Sequence, residues 1–129
     1  LGYSQSSFPL REAMLVKVTV EVKPRVMVHG ERAIGPGKAD LLELIIETGS
    51  ISAAAKRMRM SYKRAWQLVD VMNSTFRKPL VVTATGGAQG GGAELTATGR
   101  EALKCYRAMQ TELTAAASTH GKAFAGLLK

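Results

Sequence analysis

Residues 49–73 read GSISAAAKRMRMSYKRAWQLVDVMN, and this stretch decides the fold. Ser50 stands where a helix cap is needed, ahead of Ile51, Ala54, Ala55 and Met58 at helical spacing. After a turn at Arg59-Met60-Ser61, Ser61 is placed to cap a second helix expected to reach about Phe76. Its inward positions are Ala65, Leu68, Val69, Met72 and Phe76. Two short helices joined by such a turn make a helix-turn-helix. The small side chains of Ala53, Ala54 and Ala55 let the first helix cross close to its partner.

Upstream, Val16, Val18, Val20 and Val22 alternate with Lys17, Thr19 and Glu21, which predicts a half-buried strand. Pro24 interrupts it, and Arg25–His29 is expected to resume with Val26 and Val28 inward. His29-Gly30-Glu31-Arg32 then reads as a turn into a return strand ending at Ile34. Gly35-Pro36-Gly37 starts a helix, with Pro36 in the first turn where a missing N–H costs nothing. Leu41, Leu42, Leu44, Ile45 and Ile46 give it a broad apolar stripe, and Gly49 ends it.

Downstream, Leu80–Ala84 and Ala93–Leu95 are short β-rich runs around the glycine-rich loop Thr85–Gly92. Thr96 or Thr98 caps a final helix, and Thr98 with Glu101 fits a capping box. That helix carries Leu103, Tyr106, Met109 and Leu113. The order helix, helix, helix, hairpin, helix predicts an α+β, mainly α, winged helix-turn-helix. It has a small N-terminal β element and a long C-terminal helix. Residues 1–15 are expected to be a poorly ordered lead-in, 16–119 the single domain, and 120–129 a frayed tail.

The 129 residues carry 18 Lys and Arg against 10 Asp and Glu, a net charge of +8. Seven cations and one acid, Asp70, put +6 of that charge between Lys56 and Lys78. Charge focused on the motif points to a polyanionic partner, double-stranded DNA above all, rather than to a merely solvated surface. The second motif helix opens with Ser61, Tyr62, Lys63 and Arg64, the positions that reach base edges in the major groove. Lys and Arg donate to guanine O6 and N7, and Gln67 suits adenine. Lys56 and Arg57 are candidates for phosphate contacts. Trp66 lies one turn from Tyr62 and is expected to pack, leaving Tyr62 for the nucleic acid. One such helix reads few base pairs, so a homodimer is expected, with the first and last helices as its surfaces.

Other classes are disfavoured. Cys105 is the lone cysteine, read as a buried thiol suited to the cytoplasm, and excludes an intramolecular disulfide or a Cys-rich zinc module. His29 and His120 stand far apart without an acidic cluster, so no metal site is expected. No cofactor, activated nucleophile or carboxylate pair is expected either, which argues against an enzyme. The methionines read mostly as core filler. Apolar runs are too short for a membrane span, and the N-terminus lacks a signal-peptide layout. The glycine tract lacks the Gly-Lys-Ser/Thr of a nucleotide-binding loop.

The segment 49–73, with RKPLVVTATGGAQGGGAELTATG at residues 77–99 and AIGPGKADLLELI at 33–45, resembles the N-terminal DNA-binding domain of ModE-type molybdate-responsive regulators. More distantly it resembles LysR-type helix-turn-helix domains. The resemblance covers about Lys23 to Met109. It implies a dimeric, cytoplasmic regulator whose second motif helix, from Ser61, reads an operator. The wing would be Thr85–Gly92, with Thr85, Gly86, Gly87 and Gln89 at the DNA. Longer members carry a C-terminal molybdate-binding domain, for which this chain leaves no room, so a standalone form working with a separate sensor protein is one expectation. An oxyanion or effector sensor whose winged domain mainly contacts proteins is the alternative, and a nonspecific architectural binder is a third reading.

Overall fold

A computed structural model describes residues 16–84 and 91–129. Gly35 precedes Pro36 in extended backbone, and helix α1 (Pro36–Thr48) begins on the proline. Gly49 closes it in the left-handed region at φ 73°, donating its N–H to the Ile45 carbonyl at 2.8 Å. The Ser50 hydroxyl accepts the Ala53 N–H at 3.0 Å and starts α2 (Ile51–Arg57). Ser61 does the same for the Arg64 N–H at 3.0 Å and starts α3 (Tyr62–Thr75). Leu41, Leu42 and Ile45 of α1, Ile51, Ala54 and Ala55 of α2, and Ala65, Val69 and Met72 of α3 are all buried. The stripe on α1 is narrower than expected, because Ile46 is 43% exposed.

Among the described residues, four short strands form two antiparallel hairpins, β1 (Val26–Val28) with β2 (Glu31–Ile34) and β3 (Val81–Ala84) with β4 (Gly92–Leu95). His29 at φ 49° and Gly30 at φ 79° give the first hairpin a two-residue turn of the type whose twist matches its strands. β2 packs on α1 and α3 and buries Ala33 and Ile34. Val26, Met27 and Val28 are exposed, against the expectation that the valines face inward and the methionine fills the core. With only two strands and a register shift between Val26 and Met27, β2 alone supplies the covered face.

The second hairpin is held by both ends of the helical unit. The Asn73 carboxamide on α3 accepts the Leu80 and Val81 N–H groups at 2.8 and 3.1 Å and donates to the Val81 carbonyl at 3.0 Å. The Ala93 N–H donates to the Gly49 carbonyl at 2.8 Å. Helix α4 (Ala97–Gly121) follows. Its cap is Thr96, whose hydroxyl accepts the Gly99 N–H at 3.0 Å and donates to the Pro79 carbonyl at 2.6 Å. Thr98 therefore lies inside the first turn, and the capping box expected with Glu101 is not formed. Gly99 is buried against Leu80, and a Cβ there would collide with the Leu80 carbonyl oxygen.

Leu103 and Tyr106 are buried on α4, and the Tyr106 hydroxyl donates to the Pro24 carbonyl at 2.8 Å. Cys105 corrects its expectation. It is exposed, because helical periodicity turns it away from the side that buries Leu103 and Tyr106. The Arg107 guanidinium pairs with Asp40 at 2.9 Å and Glu43 at 3.1 Å on α1.

Contacts divide the chain into two units, Lys23–Ala108 and Leu1–Val22 with Met109–Lys129. In the second, Val16, Val18, Val20 and Val22 are half-buried while Lys17, Thr19 and Glu21 are exposed. The alternation read from the sequence is present. The strand is not, since residues 16–22 join no ladder. A Cβ on Gly121 would lie 2.5 Å from a Val20 methyl and 3.7 Å from a Val18 methyl. Two residues two apart thus face one helix position, as an extended segment requires. Gln110 donates to the Val22 carbonyl at 3.1 Å. Leu113 is 42% exposed, so the apolar side of α4 is only partly covered. The helix runs past Thr119 to Gly121, a 3-10 turn follows at Lys122–Phe124, and Ala125 is buried. Among the described residues no helix is long and apolar enough to cross a membrane. The lead-in 1–15 lies outside the described residues.

Candidate nucleic-acid interface

Helix α3 is pinned on one side and open on the other. Ala65, Val69 and Met72 face the core, while Ser61, Tyr62, Lys63, Arg64 and Gln67 are exposed. The sequence-expected contact residues of the second motif helix are therefore all exposed, at its cap and along its first two turns. Tyr62 is exposed and meets the half-buried Trp66 edge-on, with ring centroids 6.1 Å apart and planes at 76°. Trp66 packs, and Tyr62 presents its ring and hydroxyl outward. A cleft of about 190 Å³ borders this pair, lined by Ser50 and Ser52 at the start of α2, Tyr62 and Trp66 of α3, and Thr83 and Gly91 of the second hairpin. Thr85, Gly86, Gly87 and Gln89, expected at the wing tip, lie outside the described residues.

A further cation, on another element, feels the charge of Arg64. Lys38 on α1 donates to the Arg32 carbonyl on β2 at 2.9 Å. Burial holds its ammonium below the usual lysine range, and the Arg32 and Arg64 charges push it lower, with Glu31 acting in the opposite sense. Arg32 and Lys38 were missed by sequence reasoning because they belong to other elements; no spacing pattern joins them to Arg64. The lowered pKa makes the ammonium a cost to the free fold at lower pH, relieved as pH rises toward the ordinary value of 10.5. A bound phosphate reverses that sign by favouring the charged form. Duplex binding is therefore expected to take up protons only as the pH approaches the range where Lys38 loses its own, and not near neutrality. Calorimetry in two buffers of different ionisation enthalpy checks this; identical heats for the parent and Lys38→Gln chains would count against it.

The other candidates are placed differently. Lys56 is exposed, and Arg57 approaches Glu47 of α1 at 3.8 Å. Arg59, between α2 and α3, adopts φ 57°. Its N–H donates to the Lys56 carbonyl at 3.1 Å, and the Met60 N–H reaches the Ala55 carbonyl at 3.0 Å. This pair of bonds is the helix-ending motif in which glycine usually takes the left-handed position. An exposed arginine holds it here. Among the described residues no group of three His, Cys, Asp or Glu side chains is arranged to hold a metal ion.

A capped pair of helices across a tight turn, a third helix packed beneath it and a β-hairpin stapled to the outward-facing one define a winged helix-turn-helix domain. Residues 38–100 match the bacterial regulatory helix-turn-helix proteins of the lysR family. It is 45% identical over 84 residues to the molybdenum transport protein ModE of Azotobacter vinelandii, covering 65% of this chain and 31% of that protein. It is 44% identical over 77 residues to the molybdenum-pterin-binding protein MopB of Rhodobacter capsulatus, covering 60% and 28%. Against the DNA-binding transcriptional dual regulator ModE of Escherichia coli K12 the identity is 44% over 71 residues, covering 55% and 27%. The matches thus span less than a third of each of these curated relatives.

Proposed function

We propose that the chain binds operator DNA as a homodimer and regulates transcription of molybdenum-related genes. The observation that carries this reading is the outward cluster of Lys63, Arg64 and Gln67 on the first turns of α3, above a buried Ala65–Val69–Met72 face. A helix so anchored presents donors for guanine and a carboxamide for adenine without having to reorganise. Lys38, whose ammonium feels the Arg64 charge, supplies further positive charge for phosphate. The likeness to the molybdenum transport protein ModE and the molybdenum-pterin-binding protein MopB motivates the molybdenum assignment. Two half-sites roughly 34–36 Å apart are expected for a dimer of such domains.

Selection of binding sites from random duplexes tests the reading. Recovery of a palindrome bound at least roughly a thousandfold more tightly than a scrambled duplex at one salt concentration is the expected result. Equal affinity for both duplexes defeats it. Repeating the measurement with molybdate present tests the effector assignment separately.

Arg59 enters as a phosphate contact at the motif turn. Replacing it by glycine relieves the left-handed backbone, so Arg59→Gly is expected to raise stability by about 0.5–1 kcal/mol. The same change removes a cation from the interface, lowering affinity and reducing the salt slope by about one. Denaturant unfolding and salt-dependent binding, measured side by side, should move in opposite directions. A variant that gains stability and keeps the parent salt dependence has no phosphate contact at Arg59.

A further inference from the structure

The segment Val16-Lys17-Val18-Thr19-Val20-Glu21-Val22 is symmetric about Thr19. Read from either end it is the same except that lysine stands where glutamate stands. In the structure its four valines are half-buried, and Val18 and Val20 rest on Gly121 of α4. Its polar residues are exposed. Among the described residues, the backbone of Val16–Val20 makes no hydrogen bond to another backbone group. A strand-forming pattern, extended and docked by its apolar face, is thus left without a ladder.

We propose that residues 16–22 pair with the same residues of a second copy as an antiparallel two-stranded ladder centred on Thr19. An antiparallel pair about a two-fold axis makes the contact isologous, so each residue meets the one equally far from the centre. In that register Thr19 faces Thr19 of the partner subunit, and Val18 faces Val20 of the partner subunit. Lys17 faces Glu21 of the partner subunit, and the same pair recurs on the other side of the axis. A shift of one residue would instead turn valines toward the polar side. Opposite charges and threonine pairs directly across a ladder are each favourable, and both occur together only in this register. In that arrangement Val18 and Val20 stay against Gly121 of their own chain. This inference rests on the homodimer reading and specifies where the two copies meet.

Cysteine placement reads the register directly. In a Cys105→Ser background, Thr19→Cys would set two thiols across the axis, with the Cα separation of roughly 4.5–5.5 Å found across an antiparallel pair, within reach of a disulfide. Lys17→Cys is the control, because its two copies would lie four residues apart along the ladder, roughly 14 Å. The expected result is rapid covalent dimerisation of the Thr19→Cys chain under mild oxidation and none with Lys17→Cys. Sedimentation provides the second measurement. Lys17→Glu and Glu21→Lys are each expected to weaken the dimer roughly tenfold by setting like charges opposite each other. The double exchange should restore it. A dimer of unchanged affinity in all three charge variants, with no preferential cross-link at Thr19, overturns the strand pairing while leaving the homodimer intact. A parent chain that stays monomeric at all concentrations and on operator DNA overturns both.

Discussion

A duplex carrying the selected operator is expected to bind the Lys63→Ala, Arg64→Ala double variant about 2–6 kcal/mol more weakly than the parent chain, since a good base contact contributes roughly 1–3 kcal/mol. Both side chains are exposed on the first turn of α3, and neither is in the core, so the fold should be retained. Neighbouring residues couple, and the double variant need not equal the sum of the singles. The sign of specificity matters more than the size. Loss of base contacts flattens the preference at particular operator positions, whereas loss of phosphate contacts weakens all sequences alike and lowers the salt slope. Binding-site selection repeated with each single variant separates the two. Unchanged base preferences in both would remove Lys63 and Arg64 from direct readout and leave them as electrostatic anchors.

Glycine-to-alanine exchange should have opposite consequences at two helical positions. At Gly99 a methyl group would strike the Leu80 carbonyl oxygen and stand 3.0 Å from its carbon and 3.2 Å from its Cα. Backbone cannot swing aside as a flexible side chain does, and Leu80 is itself fully buried and bound to Asn73. Overpacking of this kind costs about 1–3 kcal/mol, and the upper end is expected here even after the gain of about 1 kcal/mol in helix propensity. At Gly37, on α1, nothing lies within 4 Å of an added Cβ, so Gly37→Ala should raise stability by up to about 1 kcal/mol. Denaturant midpoints at constant slope measure both. Equal shifts of one sign at the two sites would show that the α4–Leu80 contact is not the constraint inferred here.

The features legible in the sequence were those with a one-residue chemical cause. Ser50 and Ser61 cap where a hydroxyl must meet a free N–H, Pro36 opens a helix, and Gly49 closes one. The inward faces of α2 and α3 follow from helical spacing within a single element. What depended on distant partners was not legible. Period-two valines at 26 and 28 announce alternation, yet only the tertiary neighbours decide which strand of a hairpin is covered. Thr96 and Thr98 are equivalent caps until the Leu80 backbone selects the first, and Gly99 admits that approach. The effect of the Arg32 and Arg64 charges on Lys38 joins three elements that the sequence keeps apart. Arg59 looked like one more basic residue, and only its backbone angle sets it apart. Asn73 carried no signal at all, because a carboxamide on an amphipathic helix declares nothing about the strand it will hold.

That staple has a consequence for recognition. Asn73 ties α3 to the strand entering the wing, and the Gly49 carbonyl ties the returning strand to the front of the motif. The spacing between the reading helix and the base of the wing is thereby set during folding, before any operator is met. A protein gauge that does not give leaves the duplex to absorb every misfit, by narrowing a groove or bending at a soft step. Operators with the same contacted bases should then differ in affinity according to how easily the base pairs between those contacts deform.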